Sequence, residues 1–439
     1  MAANSAAGTS VDTPDAIAAQ LERRRHAVVE AWNLGEEVVL FGAGHPVPVP
    51  GRRDRMYPFR AHSEYLYLTD RERPRGVLAF DPHEGWIDFV TPVTRDERLW
   101  EGAHGDVQEG RATEELDGWL AELRGRPLAC LGARVAGVAP NEKLEAELRY
   151  ALNHVRRPKD ELELGRMRAA ERATSAGFAA IQPLLVPGNT ERHVQIELDA
   201  EFFRNGADFL AFDTIVGGGP NAAVLHFSPS QRPFGEGELI LIDAGGEYRG
   251  YASDITRTYP ASGKFMPEQA ELYGLVRRAG LAAIARCTAG TEWRDVHRTG
   301  ALVIAEGLVE FGLLRGRPES LVEQGAQSVF FPHGIGHMVG LGVRDAGDVL
   351  KGRPQREDEF PRLRMDLPLM PGYVVTVEPG IYFVPALLHD PEFRERFRDA
   401  VNWERAEQLL DFGGIRIEDN VLITDEGPEV LTADVPVLV

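Results

Sequence analysis

The aliphatic run Leu239-Ile240-Leu241-Ile242 ends in Asp243, and the β-branched run Tyr373-Val374-Val375-Thr376-Val377 ends in Glu378. A carboxylate that closes an apolar strand needs a partner, a proton or a cation, because burial strips its hydration. Any fold of this chain has to meet that demand twice. Asp254 follows Asp243 by eleven residues, and Gly245, Gly246 and Gly250 between them suit a hairpin that brings the two acids together. Two carboxylates at such range repel unless one takes a proton or a cation lies between them.

Two more segments share the property. Phe331-Pro332-His333-Gly334-Ile335-Gly336-His337 lacks the Glu of the helical HExxH motif, and its glycines oppose a helix, so it reads as a loop offering one or two imidazoles. In Gly414-Ile415-Arg416-Ile417-Glu418, strand alternation puts Arg416 and Glu418 on one face. Each segment alone has an ordinary structural explanation. Together, four carboxylates and an imidazole suit two hard or borderline divalent cations sharing ligands. Such a centre activates water at neutral pH.

The rest of the chain narrows the setting. A net charge of −20 over 439 residues excludes the basic face that nucleic-acid binding needs. No run of apolar residues is long enough to span a membrane. The opening residues have neither the basic nor the apolar region of a signal peptide, so residues 1–14 are expected as a disordered tail. Cys130 and Cys287 lie far apart without a CxxC pair, which fits a reducing cytoplasm. No GxSxG elbow is present, and Gly217-Gly218-Gly219-Pro220 lacks the Lys-Ser/Thr of a P-loop; it reads as a turn before a strand.

Alternating short strands and helices over 15–155 predict a smaller α/β domain. Its strands are expected at Val38–Phe41, Tyr65–Leu68, Val77–Phe80 and Trp86–Val90, after a helix opened by Thr13 and Pro14. The charged, Pro-containing stretch around Arg156-Arg157-Pro158 marks the boundary with a second domain, 156–439. That domain opens with helices over Glu161 to about Leu185 and Thr190 to Asn205. Isolated Trp100 reads as a core residue.

The order Asp243, Asp254, His337, Glu378, Glu418 resembles that of the metallopeptidases with the pita-bread fold, among them methionine aminopeptidase, aminopeptidase P and prolidase. Arg24-Arg25, Tyr57-Pro58-Phe59-Arg60 and Ser63-Glu64-Tyr65 are similar to the N-terminal domain of the latter two, which methionine aminopeptidase lacks. The resemblance implies an α/β (α+β) chain, a pita-bread catalytic domain preceded by a smaller α/β N-terminal domain. It implies that those five residues hold two divalent ions, manganese with zinc or cobalt as alternatives, and that Glu378 also carries a proton. It places His226 and His333 around the substrate, with Tyr382 and Arg416 supporting the intermediate.

The loop before Glu378 resembles a prolidase insertion whose arginine, here Arg364, holds the proline carboxylate. The expectation is therefore an Xaa-Pro dipeptidase closest to prolidase, acting on Xaa-Pro dipeptides or short peptides as a cytoplasmic homodimer. The alternatives are an aminopeptidase P acting on longer peptides, or a catalytically weak or non-enzymatic relative. One departure stands out: seven residues after His337, where the family carries a second His, this chain has Arg344. Arg still donates hydrogen bonds to an oxyanion, but it cannot release a proton near neutral pH. Trp100 is similar to a Trp that family members place at a neighbouring subunit's site.

Overall fold

Thr13 accepts the Ala16 amide and Pro14 occupies the first turn, so the first helix, α1 (Pro14–Trp32), starts inside the expected tail. The computed structural model describes residues 12–52, 55–100, 102, 110–353, 360 and 362–438, which leaves most of that tail outside the described residues. Two compact units divide at Arg156 and Arg157.

In the first unit, β1 (Val38–Gly42), α2 (Ser63–Thr69), β2 (Val77–Asp81), β3 (Gly85–Val90), α3 (Arg95–Trp100), β4 (Arg111–Ala112), α4 (Leu116–Glu122), β5 (Leu128–Gly132) and α5 (Glu142–Arg156) follow α1. The sheet order is β4-β3-β2-β1-β5, with β1 antiparallel to β2 and parallel to β5. Alternation along β1 supplies both faces: Val38 and Leu40 pack with Trp119 and Leu123, while Phe41 stacks on Trp32 of α1 at 5.8 Å.

Tyr65-Leu66-Tyr67-Leu68, expected as a strand, lies in α2. Its alternation carried no information about a solvent face, because every side chain from Glu64 to Thr69 is buried. Glu64 fixes the segment by accepting bonds from Arg149 Nε, 2.8 Å, and the Gly132 amide. Trp100, expected in the core, is 81% exposed at the end of α3.

The second unit opens with α6 (Glu161–Ala180), capped reciprocally by Asp160 and Glu163. It stops short of Leu185 because Pro183 sits in the following 3-10 turn. Next come α7 (Glu191–Arg204), β6 (Phe209–Leu210), β7 (Ile215–Gly218), β8 (Leu239–Ala244), β9 (Gly246–Tyr248), β10 (Tyr251–Ala252) and β11 (Ile255–Pro260). Two long helices, α8 (Pro267–Ala285) and α9 (Trp293–Glu310), precede β12 (Val374–Val377), β13 (Gly380–Tyr382), β14 (Gly414–Arg416), β15 (Asp419–Thr424) and β16 (Gly427–Val430).

The strands form short antiparallel sheets, β11-β8-β7, β12-β15-β16, β13-β14 and β10-β9-β6. The main core joins α8 and α9 to residues of β12 to β15 through Leu272, Val276, Ile304, Val375 and Ile415. Gly217-Gly218 closes β7 and Gly219-Pro220 opens a 3-10 turn, so the glycine run ends a strand where it was expected to precede one.

Candidate metal centre

Four chain segments bring their ends to one place. All six residues of β8 are buried, and its Asp243 lies opposite Thr256 of β11. Gly245 lets the chain turn back tightly, since a Cβ there would sit 1.8 Å from the Ser253 carbonyl oxygen. Asn420 holds the next carboxylate in place: its Oδ1 accepts the Asp254 amide at 3.1 Å and its Nδ2 donates to the Asp254 carbonyl at 2.8 Å.

Glu378 follows β12 directly and donates its amide to Ile335, while the Glu418 amide donates to the Thr256 carbonyl. The His337 loop lies against β12, with the His337 amide bonded to Thr376 Oγ1 at 3.0 Å. Gly336 is required by that approach, because a Cβ on it would meet the Thr376 carbonyl oxygen at 2.0 Å.

Ligand atoms of Asp254, His337 and Glu418 lie within 4.8 Å of one another. His337 Nδ1 faces the Met338 carbonyl at 3.0 Å, which assigns the ring proton to Nδ1 and leaves a lone pair on Nε2. That lone pair faces Asp254 Oδ2 at 3.5 Å and Glu378 Oε1 at 3.8 Å. Burial pushes the imidazole down to about 4, so it stays neutral and offers the carboxylates no proton.

Burial also raises the carboxyls. Asp254 and Glu418 are pushed well above the ordinary range, by burial first and then by repulsion from neighbouring carboxylates, and Glu378 rises to about 7. Asp243 Oδ1 is buried without a hydrogen-bond partner among the described residues. A lone pair and several carboxylates aimed at one another is a repulsive arrangement that divalent cations would make attractive. The donor set fits two such ions.

Arg416 ties the cluster to its surroundings. Its guanidinium donates to Asp243 Oδ2 at 2.6 Å, to Thr256 Oγ1 at 2.9 Å and to the Tyr382 hydroxyl at 2.9 Å, while Thr256 donates in turn to Glu418 Oε2 at 2.6 Å. The sequence expectation that Arg416 and Glu418 share a face meets its physical link in Thr256. His333 Nδ1 faces the Gly334 carbonyl at 2.8 Å, so its Nε2 accepts the Tyr382 proton at 2.9 Å. Its Nδ1 is also 3.6 Å from Glu378 Oε2. Burial, reinforced by Arg416, lowers the ring to about 3 and keeps it neutral.

Asp243, Asp254, His333, His337, Glu378, Arg416 and Glu418 line a cleft of about 630 Å³, to which Arg344, Arg364 and His226 also contribute. Both arginines are exposed, and neither has a hydrogen-bond or ion-pair partner among the described residues. His226 lies in a turn after Ala223. Its loop is held by a residue that the sequence reading passed over. Buried Glu191 accepts the Gly218 amide, Asn221 Nδ2, the Ser230 amide and Ser230 Oγ, at 2.6 to 3.1 Å. As a glutamate in the first turn of a helix it carries no sequence signal beyond favourable helix polarity.

The sequence model described as metallopeptidase family M24 matches residues 165–425, the part of the chain that holds this cluster. The chain belongs to metallopeptidase family M24. A second model, described as the aminopeptidase P N-terminal domain, matches residues 21–123. The "Probable Xaa-Pro aminopeptidase PEPP" of Fusarium vanettenii is 32% identical over 408 residues, covering 87% of this chain and 86% of that protein. The Xaa-Pro aminopeptidase of Escherichia coli is 31% identical over 449 residues, covering 95% of each. The solved structure of Pseudomonas aeruginosa aminopeptidase PepP superposes with a TM-score of 0.79 at 30% identity and covers 96% of each chain.

This family membership makes the protein a metal-dependent peptidase with the pita-bread architecture. The expectation of closest kinship to prolidase finds no support in these relatives, which carry the aminopeptidase name over nearly their whole length. An arginine beside a peptidase cleft serves a free carboxylate or a longer chain equally well, so the loop around Arg364 does not by itself separate a dipeptidase from an aminopeptidase. No helix among the described residues is long and apolar enough to cross a membrane.

Proposed function

We propose that the protein is an Xaa-Pro aminopeptidase, releasing the first residue of peptides whose second residue is proline, and that it prefers chains longer than a dipeptide. The observation that carries the reading is the convergence of Asp254, His337 and Glu418 within 4.8 Å in a cleft shared with Asp243 and Glu378. The names of the full-length relatives supply the peptide class.

Asp243, Asp254, His337, Glu378 and Glu418 would hold two divalent ions, with manganese the first choice and zinc or cobalt able to substitute. When bound, such ions acidify water and polarise a carbonyl oxygen. An Xaa-Pro bond is a tertiary amide without an N–H, so it offers no backbone donor for recognition and its leaving nitrogen needs a proton. Glu378 takes a proton at its carboxylate and returns it to that nitrogen. Neutral His333, oriented through Arg416 and Tyr382, presents its Nδ1 side toward Glu378 and steadies the carboxyl during the exchange. Arg344 and Arg364, both exposed, bring fixed positive charge to the cleft, where an oxyanion or a peptide carboxylate would be met, and His226 lines the same cleft.

Two buried, unpaired thiols, Cys130 and Cys287, favour a reducing cytoplasm. We take the assembly to be a homodimer, which light scattering would test, with exposed Trp100 as a candidate contact.

Turnover of an Xaa-Pro dipeptide beside the same sequence extended by one residue tests the reading. The longer peptide should be cleaved with at least tenfold higher kcat/KM, and faster cleavage of the dipeptide would restore the prolidase assignment. Arg364→Ala separates the roles of that residue: a loss confined to the dipeptide marks it as a carboxylate anchor. Protein that cleaves neither peptide with manganese, zinc or cobalt added would leave the non-enzymatic reading standing.

A further inference from the structure

A second cavity, of about 460 Å³, lies on the far side of His333 and Gly334, which line both spaces. Its walls include Phe331, Phe360, Phe393 and Phe397. In a chain of net charge −20, no acidic residue is among those described as lining it, whereas two guanidiniums, Arg362 and Arg396, are. Arg362 is tethered to the Pro332 carbonyl at 2.9 Å and Arg396 to the Gln324 carbonyl at 3.1 Å, so both keep further N–H groups and full charge for a ligand.

Two buried polar side chains, Gln327 and His297, also line the cavity. Gln327 is only 4% exposed, and its buried Oε1, an acceptor, has no hydrogen-bond partner among the described residues. His297 Nδ1 accepts the Ile335 amide at 3.1 Å, which puts the ring proton on Nε2, a donor without a recorded acceptor. Burial lowers this imidazole to about 4, so the ring remains neutral with that proton in place. Leaving a buried polar group such as Gln327 Oε1 unpaired costs about 1–3 kcal/mol, and such a group in a roomy cavity points to an occupant.

The donors outnumber the acceptors and the walls are aromatic. We propose that this cavity is a second ligand site, taking a small apolar carboxylate. The hydrocarbon body lies among the phenylalanine rings, the carboxylate meets the donors of His297, Arg362 and Arg396, and Gln327 Oε1 accepts from an ammonium where the ligand carries one. The volume is that of ordinary small-molecule sites. An occupant leans on the wall that carries His333 and so touches the metal cleft from behind. The proposal stands independently of the peptidase reading, since none of the five candidate metal ligands lines this space.

Isothermal titration of the full-length protein with 3-phenylpropionate, and in a second arm with L-phenylalanine, tests it before and after exhaustive chelation of metal. Saturable one-to-one binding in at least one arm, changed less than twofold by chelation, is expected. Tighter binding of L-phenylalanine identifies free amino acids as the ligand source, and tighter binding of 3-phenylpropionate identifies carboxylates without an amine. Gln327→Leu should weaken binding of L-phenylalanine at least tenfold. Arg396→Gln, at an exposed rim position, should weaken it several-fold while leaving the melting temperature unchanged. The proposal is overturned by absence of binding in both arms, by binding that disappears on chelation, or by affinity indifferent to both substitutions.

Discussion

Glu171 of α6 is buried at 5% exposure, and neither of its carboxyl oxygens has a hydrogen-bond partner among the described residues. Burial drives its carboxyl from 4.5 up to about 8, with Arg168 only partly opposing. Between those two values the unfolded chain has released a proton that the native chain retains. Stability therefore falls as pH rises, by about 1.4 kcal/mol per pH unit, and the fall ends above pH 8 where both states are ionised. From pH 5 to pH 7 the loss comes to roughly 3 kcal/mol. Glu171→Gln keeps the shape and cannot ionise, so its advantage over the parent should grow by that amount across the same interval. Native-state hydrogen exchange of the α6 amides, corrected for intrinsic rates and run at one metal concentration, reports the opening of this unit. Taking the difference between the two proteins cancels every other titration they share. A difference that stays flat from pH 5 to pH 7 would refute the reasoning and mean that Glu171 is ionised and solvated in the native state.

Other expectations concern the metal cleft. Tyr382→Phe removes one oxygen that joins Arg416 to His333, and Arg416 keeps its bonds to Asp243 and Thr256. Bound metal should be unchanged and kcat should fall by about 10- to 100-fold, the worth of one or two lost hydrogen bonds to charged or oriented groups. Metal analysis beside steady-state kinetics checks this, and a loss of metal in the variant would contradict the tethering read from the structure. Chelation should abolish activity and lower the melting temperature. Each ion present at a hundredfold its dissociation constant stabilises the fold by about 2.7 kcal/mol, so fluorimetric melting against manganese should rise with the logarithm of concentration. Glu191→Ala leaves several buried donors unmet and should cost about 3–5 kcal/mol, seen as a lower urea midpoint.

The convergence of Asp243, Asp254, His337, Glu378 and Glu418 on one cleft was legible because each sits where burial makes a charged or polar side chain costly without a partner. Glycines beside them, Gly245 and Gly336, marked close backbone approach, and the structure shows which carbonyls they approach. Other features were hidden for identifiable reasons. The Tyr65 segment alternates like a strand, yet with all its faces buried the period of two has no solvent side to report. Glu191 acts across 27 to 39 residues of sequence on the loop that carries His226, and a single sequence holds no trace of such a partner. Trp100 was misassigned from composition statistics, because a large aromatic is on average buried and only its surroundings reveal an exposed one. The cavity behind His333 gathers residues from distant segments, and no local pattern unites Gln327, Phe360 and Phe397.

Charge balance inside the cleft bears on how many ions it takes. Asp243, Asp254, Glu378 and Glu418 carry four negative charges when ionised, and His337 is neutral. Among the described residues Arg416 is the cation in hydrogen-bond contact with the cluster, and it offsets one of those charges. One divalent ion would leave the buried site negative, which opposes the approach of electrons to a carbonyl carbon and of an anionic intermediate. Two divalent ions turn the same site positive by a single charge, the sign that stabilises an oxyanion. The raised carboxyls of the metal-free cluster are the other face of this balance, because protons occupy what cations otherwise would. Metal uptake should therefore release protons, and the number released per chain as pH is lowered from 8 to 6 should increase while affinity declines. Two-ion loading without proton release would place the compensating charge elsewhere and remove Arg416 from its role as the fixed counter-charge.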